Sequence, residues 1–337
     1  MPELRIDPLS GTRVIVAGER GSRPGAFIGV DPRPPIDPET DPFVEGHEDR
    51  TPPEVYAVRP GGGAPDTPGW SVRVVPNLFP ALSNDGSPPS AAADPLAAGR
   101  GQPDLFAVRP AVGAHEVIVN GPQPVSSLAD LPVEQVEAAM SVWRERMREH
   151  SEAAGYVHLI VNEGKEAGAS LPHTHAQLYA LPFVPAAVAR ERERFTAYWE
   201  RTQGRNLMED LLQEEVRRRD RVVAVDSEAV ALAPFAAKVP FHLQVVPRAA
   251  AARFEDDGPL GAAMLHQALR RLAAELGAVP PLNMWIRTAP RGAEHFGWRI
   301  DVMPRLAHLA GLEVGTGVHL NVLPPELAAL RLRDVSV

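Results

Sequence analysis

The run Ser170-Leu171-Pro172-His173-Thr174-His175-Ala176-Gln177 holds the densest set of reactive side chains in the chain. Side chains alternate along a strand, so a strand over Pro172–Ala180 places His173, His175 and Gln177 on one face. Two imidazoles and a carboxamide on one face are costly as core packing unless each is hydrogen-bonded. Three readings fit: a pair of metal ligands, two satisfied half-buried histidines, or a nucleophilic imidazole. Neutral histidine is a competent nucleophile near pH 7, and a phosphoryl group carried on it can be passed on. Such a nucleophile needs an acceptor on one ring nitrogen, so that the other is aimed and unprotonated. It also needs donors for the phosphoryl oxygens. The amide of Gln177, the hydroxyl of Ser170 and the backbone of Gly168-Ala169-Ser170 can supply them.

These residues need elements to hold them. Tyr156–Asn162 (YVHLIVN) reads as a strand, the glycine-bearing EGKEAGAS as a loop, and Pro172–Ala180 as a closing strand. Before them lie a strand at His115–Asn120 and a helix marked by Val133, Val136, Met140, Trp143 and Met147, with Asp130 and Pro132 at its start. The same order recurs 120 or so residues later. Phe241–Pro247 is a strand, Leu265, Leu269, Leu272 and Leu276 mark a helix, Leu282–Arg287 is a strand, and Trp298–Met303 closes the unit after a glycine-containing loop. This suggests a duplicated α+β fold, mainly antiparallel, with helices packed on one side of the sheet. We place the halves at 1–185 and 186–337. The charged segments between the copies (ARERERFTAYWERT and NLMEDLLQEEVRRRD) read as helices with solvated faces. Residues 1–110 are rich in Pro and Gly, with short strands at Arg13–Ala17 and Trp70–Val75, and 83–104 reads as an exposed flexible loop.

Composition narrows the function. The 337 residues include no cysteine, which excludes disulfides, a thiolate nucleophile and cysteine-ligated zinc. Lys and Arg number 34 against 43 Asp and Glu, a net charge of −9, which disfavours nonspecific binding to nucleic acid or anionic membrane. No apolar run approaches a membrane span and the N-terminus lacks a signal-peptide pattern, so a cytoplasmic protein is expected.

His173-Thr174-His175-Ala176-Gln177 resembles the His-X-His-X-Gln signature of the histidine-triad superfamily in its transferase branch, the galactose-1-phosphate uridylyltransferase family. Further segments match in order: Asp7–Thr12 with Glu19–Pro24, Asp41–Phe43 with Gly46–Glu54, Val75–Leu82, Gly113–Val119 and Ala310–Gly317. The resemblance implies two histidine-triad-like halves, with the catalytic strand in the first. It implies His175 as the nucleophile that takes a nucleoside monophosphate, His173 as the residue whose carbonyl orients it, and Gln177 and Ser170 as phosphoryl contacts. Arg20, Arg23, Asn77, Asn162 and Gly168 correspond to nucleotide and phosphate contacts, and Glu313 to a contact with sugar hydroxyls. It further implies a homodimer with shared sites.

The departures concern metals. Where members with a structural zinc have two cysteines, this chain has Asp41 and Val44, and the place of a further histidine falls at or near Pro124. The histidine pair of the second metal site is missing from Gly297-Trp298-Arg299-Ile300-Asp301. Four ligands make a structural zinc site, so no metal and no other cofactor is expected. The activity implied is exchange of a nucleoside monophosphate between a nucleotide sugar and a sugar 1-phosphate, with UDP-glucose and galactose 1-phosphate ranked first. A phosphorylase of the same superfamily, acting on an ADP-sugar such as ADP-glucose or on a dinucleoside polyphosphate, is the alternative. A histidine-triad hydrolase ranks lower because Gln177 stands in the third histidine's place. A non-catalytic nucleotide-binding protein ranks lower because His175, Gln177 and Ser170 are present together.

Overall fold

A computed structural model describes residues 1–23, 25, 27–83, 105–106 and 108–337. Two strands open the chain, β1 (Glu3–Ile6) and β2 (Arg13–Val16). Then follow β3 (Tyr56–Val58), β4 (Val72–Pro76), β5 (Ala114–Val119), α1 (Val133–Ser151), β6 (Tyr156–Glu163) and β7 (His175–Leu181). Two helices, α2 (Ala186–Thr202) and α3 (Leu207–Arg218), lead to β8 (Val222–Val225), β9 (Ala229–Leu232) and β10 (Leu243–Pro247). The chain ends with α4 (Ala262–Leu276), β11 (Leu282–Arg287), β12 (Arg299–Pro304), α5 (Gly311–Thr316), β13 (His319–Asn321) and α6 (Pro325–Asp334). The expectation at 83–104 lies outside the described residues except at Ser83, which bridges Val112.

Ten strands form one antiparallel sheet in the order β3-β4-β5-β7-β6-β11-β12-β10-β9-β8. The order contains the same motif twice. In each copy a strand, a helix and two further strands are arranged so that the last strand lies between the other two: β5-β7-β6, then β11-β12-β10. The copies meet at β6 and β11, where Asn162 pairs with Asn283. A small sheet, β1-β2-β13, joins the two ends of the chain, with β13 parallel to β2.

Alternation along the strands sorts the core into two layers. Val74, Ile118, Leu159, Ala176, Leu178, Val245 and Ile300 point to the face covered by α1 and α4, through side chains such as Met140, Trp143, Leu265 and Leu269. The opposite face differs between the halves. In the second half, Phe195 of α2 and Leu207, Met208 and Leu212 of α3 pack on Val230, Leu232 and Val246. Helices therefore cover both faces, against the expected one-sided packing. The charged helix α2 is solvated on only part of its surface: it buries Val188, Glu191 and Phe195. In the first half, Phe43 and Trp70 from the proline-rich segment pack on Val75, Val117 and Val119. Side-chain ties hold that segment in place: Trp70 Nε1 donates to Glu48 at 2.7 Å, and the buried Arg73 pairs with Glu54 at 3.1 Å and Asp66 at 2.7 Å.

Candidate active site

β7 begins at His175, not at Pro172. His173 and Thr174 lie just before the ladder, so strand alternation does not govern the His173 side chain. Its ring is fully buried: Nδ1 lies 2.7 Å from Asp41 Oδ2 and Nε2 lies 2.8 Å from the Gly121 carbonyl. Both ring nitrogens thus face acceptors. The His173 carbonyl accepts a hydrogen bond from His175 Nδ1 at 2.7 Å. That bond fixes the His175 tautomer and leaves Nε2 as the unprotonated nitrogen. Burial lowers the His175 pKa from 6.5, opposed by the bond to the His173 carbonyl. The Phe43 ring meets the His175 ring edge-on at 5.2 Å and the His173 ring at 6.1 Å. An aimed, neutral imidazole on a rigid strand is chemically suited to attack an electrophilic phosphorus.

Gln177 follows on the same face of β7, half-buried, with its Oε1 bonded to Tyr179 Oη at 3.0 Å and to His115 Nε2 at 3.1 Å. Asn77, just past β4, lies with Nδ2 3.1 Å from His115 Nε2. The structure therefore brings His175, Gln177 and Asn77 onto the face of β4, β5 and β7 opposite α1, the face on which Phe43 and Trp70 pack.

The glycine-bearing loop after β6 turns at Gly164 and Gly168, with φ of +86° and +87°, a region in which a Cβ is disfavoured. Its backbone departs from expectation. The Gly168 N–H is taken by the Lys165 carbonyl at 2.9 Å and the Ala169 N–H by the Gly164 carbonyl at 3.2 Å. Those two amides close the turn and are not free for phosphoryl oxygens. Ser170, exposed at the end of the loop, keeps its hydroxyl available and lines a cavity of about 750 Å³ with Arg33, Lys165 and Arg305. Asn162 enters from β6. Asn283 Nδ2 donates both to the Ala167 carbonyl at 2.7 Å and to Asn162 Oδ1 at 2.8 Å, which ties the loop and Asn162 to β11.

Arg20 and Arg23 are exposed on and just after a short 3-10 turn at Gly18–Ser22. Glu313 lies in α5 and accepts from the Ala310 N–H at 2.9 Å. Among the described residues no contact joins these three to His175, Gln177 or the glycine-bearing loop. One chain therefore assembles only part of the expected set. The sequence pattern alone does not mark His115, Tyr179, Asn283 or Phe43 as site residues. A signal existed for His115: it shares a strand face with Val117 and Val119, a polar exception at the strand's start.

At the positions where the resemblance implied metal ligands, the structure shows other contacts. Among the described residues no group of three or more His, Cys, Asp or Glu side chains could hold an ion. At the first position Asp41 and His173 bond each other, and Val44 and Pro124 bring no donor. Burial opposes the Asp41 charge, but the bonds from His173 and from the Phe43 N–H, with the nearby imidazoles, together hold its carboxyl below its ordinary value. At the second position Arg299 is itself the cation, 3.1 Å from Glu191 of α2 and 3.0 Å from Asp301. Burial opposes the Asp301 charge, but Arg299 holds its carboxyl far below the usual range. Neither donor set fits a tetrahedral metal.

The sequence profile described as galactose-1-phosphate uridyl transferase, N-terminal domain, matches residues 1–185. The chain belongs to this family. A second profile, a domain of unknown function (DUF4921), matches residues 128–335. ADP-glucose phosphorylase of Arabidopsis thaliana is 30% identical over 100% of this chain and 93% of its own length. A probable galactose-1-phosphate uridylyltransferase of Drosophila melanogaster is 27% identical over 99% of this chain and 95% of its own length. The crystal structure of the Arabidopsis thaliana ADP-glucose phosphorylase with bound ADP-glucose superposes with a TM-score of 0.80 at 26% identity, covering 100% of both chains. A uridylyltransferase structure gives 0.70 at 26% identity, over 99% of this chain and 97% of that one. The protein is an enzyme of the nucleotidyltransferase type found in this family, with its α+β fold, and among the described residues no helix is long and apolar enough to cross a membrane.

Proposed function

We propose that the protein transfers a nucleoside monophosphate from a nucleotide sugar to a hexose 1-phosphate through a covalent intermediate on His175, with UDP-glucose and galactose 1-phosphate as the first pair to test. The observation that carries this reading is the 2.7 Å bond from His175 Nδ1 to the His173 carbonyl, which aims an unprotonated Nε2. The Nε2 lone pair forms a bond to the α-phosphorus. The bond between that phosphorus and the bridging oxygen breaks, and hexose 1-phosphate leaves with the electron pair. A second hexose 1-phosphate then attacks the same phosphorus through a phosphate oxygen and restores the free imidazole. Gln177 and Ser170 donate to the phosphoryl oxygens, where negative charge is concentrated. Asn77 and Asn162 contact the nucleotide.

Among the described residues of one chain no contact joins Arg20, Arg23 or Glu313 to His175. They serve the site of a second copy, the arginines at the phosphates and the carboxylate at the sugar hydroxyls, in a homodimer working in the cytoplasm.

A second reading is phosphorolysis, in which inorganic phosphate takes the nucleotide and a nucleoside diphosphate is released. It is favoured by the full-length similarity to an ADP-glucose phosphorylase. One experiment separates the two. The protein is incubated with UDP-glucose or ADP-glucose labelled at the α-phosphate, and labelled protein is then chased with galactose 1-phosphate, glucose 1-phosphate or phosphate. Label on the wild type but not on His175→Gly supports the covalent route. Discharge by a hexose 1-phosphate into a nucleotide sugar supports transfer, and discharge by phosphate alone supports phosphorolysis. Label retained on His175→Gly overturns the assignment of the nucleophile.

A further inference from the structure

The amide of Gln177 has two possible orientations, and only one presents its NH2 to a phosphoryl group. A backbone group decides between them. The Ala81 N–H lies 3.1 Å from His115 Nδ1, and a backbone amide can only donate, so Nδ1 carries the lone pair. Burial favours the neutral ring, and its single proton is then on Nε2. That proton points at the Gln177 atom 3.1 Å away, which must therefore be the oxygen. Tyr179 Oη donates to the same oxygen at 3.0 Å. The opposite tautomer would satisfy only the contact with Asn77 Nδ2, the amino end of an amide whose Oδ1 already accepts from the Phe79 N–H. It would also set a ring N–H against the Ala81 N–H and a lone pair against Gln177 Oε1, so it loses two bonds to gain one.

The register explains why these residues meet. His115 of β5 faces Tyr179 of β7, and their rings stack with centroids 4.1 Å apart. Among the described residues no hydrogen bond takes up Gln177 Nε2. We propose that His115 and Tyr179 are positioning residues: together they hold Gln177 Oε1 and so present its NH2 to the phosphoryl group in transfer. This inference rests on the reading of His175 as nucleophile and Gln177 as phosphoryl donor.

The test is a mutant cycle read by the rate of protein labelling from UDP-glucose and, in parallel, ADP-glucose carrying label at the α-phosphate. His115→Phe and Tyr179→Phe keep aromatic volume and remove one donor each. Removing a preorganised donor to developing charge costs about 10²–10³-fold, and that is the loss expected for Gln177→Ala. Each single aromatic variant should lose a smaller part of that factor. The His115→Phe/Tyr179→Phe double variant should approach it, with nucleotide-sugar affinity little changed. In the Gln177→Ala background the aromatic substitutions should do nothing further, because their only path to the chemistry is gone. A general structural role would lower the rate equally in both backgrounds, and that result overturns the proposal. If His115→Phe does not fold, Tyr179→Phe carries the same comparison alone. If His175→Gly or Gln177→Ala labels like the wild type, the underlying reading of the site has failed.

Discussion

At the level of single residues, the site depends on what each imidazole faces. His173 is held between Asp41 Oδ2 and the Gly121 carbonyl and acts on His175 through its own backbone oxygen. His173→Asn keeps that oxygen, so labelling should slow but persist, whereas His175→Gly should abolish it. The sign of the pH dependence follows from burial. Taking the His175 ring out of water penalises its charged form, and the folded pKa falls below 6.5, with nearby His173 adding to the fall and Asp41 opposing it. The neutral, reactive form therefore persists to lower pH than for a free histidine. The single-turnover labelling rate should stay flat through neutrality and fall on the acid side with a midpoint below 6.5. A midpoint above that value would mean that a different group is titrating. The pair His175 and Gln177 was legible from the sequence because spacing of two is a strand signal. The place of His173 was not, because nothing in the local pattern shows that the ladder starts two residues later. Its partner Asp41 lies 132 positions away in sequence, and only the fold brings it near.

At the level of elements, the strands and the two central helices were legible because their apolar periods are long and regular. Val133–Ser151 and Ala262–Leu276 each bury one stripe, and strands such as Leu282–Arg287 match the expected bounds. The packing of α2 and α3 on the second face was not legible. Their charged composition reads as solvated, and Glu191 is buried only because Arg299 and Arg287 on the sheet receive it. The strand that carries His175 depends on the approach of the chain to β7 just before β5. Gly113 has φ of +152°, and a Cβ there would lie 2.1 Å from the Ala180 carbonyl oxygen. Since that obstacle is backbone in a central ladder, it cannot rotate away. Gly113→Ala should destabilise the fold by about 1–3 kcal/mol, as overpacking does, seen as a lower urea midpoint with an unchanged m-value. An unchanged midpoint would show that the strands separate at this end without cost.

At the level of the whole molecule, two ties fasten distant parts of the chain. Asp41–His173 joins the proline-rich segment to the start of β7, and Glu191–Arg299–Asp301 joins α2 to β12. Each buried carboxylate has a cationic or proton-donating partner within the protein, so neither tie needs an ion from solution. Treatment with a chelator should therefore leave the melting temperature and the labelling rate unchanged, and elemental analysis should find no stoichiometric zinc or iron. About one tightly held metal per chain, lost together with stability, would contradict this.

The position of Arg20, Arg23 and Glu313 leads to a test at the same scale. They sit on elements that flank the small β1-β2-β13 sheet, and among the described residues no contact joins them to His175 or Gln177. If they complete the site of a second copy, His175→Gly and an Arg20→Ala/Arg23→Ala variant are each inactive for opposite reasons. After subunit exchange in equal amounts, half of the dimers are mixed. Each mixed dimer holds one site with both defects and one with neither. Complementation should then recover about a quarter of wild-type activity, as two-fold symmetry with shared sites requires. The recovery should depend on time allowed for exchange and vanish when the two variants are kept apart. No recovery after proven exchange would place the arginines in their own chain's site or outside catalysis altogether.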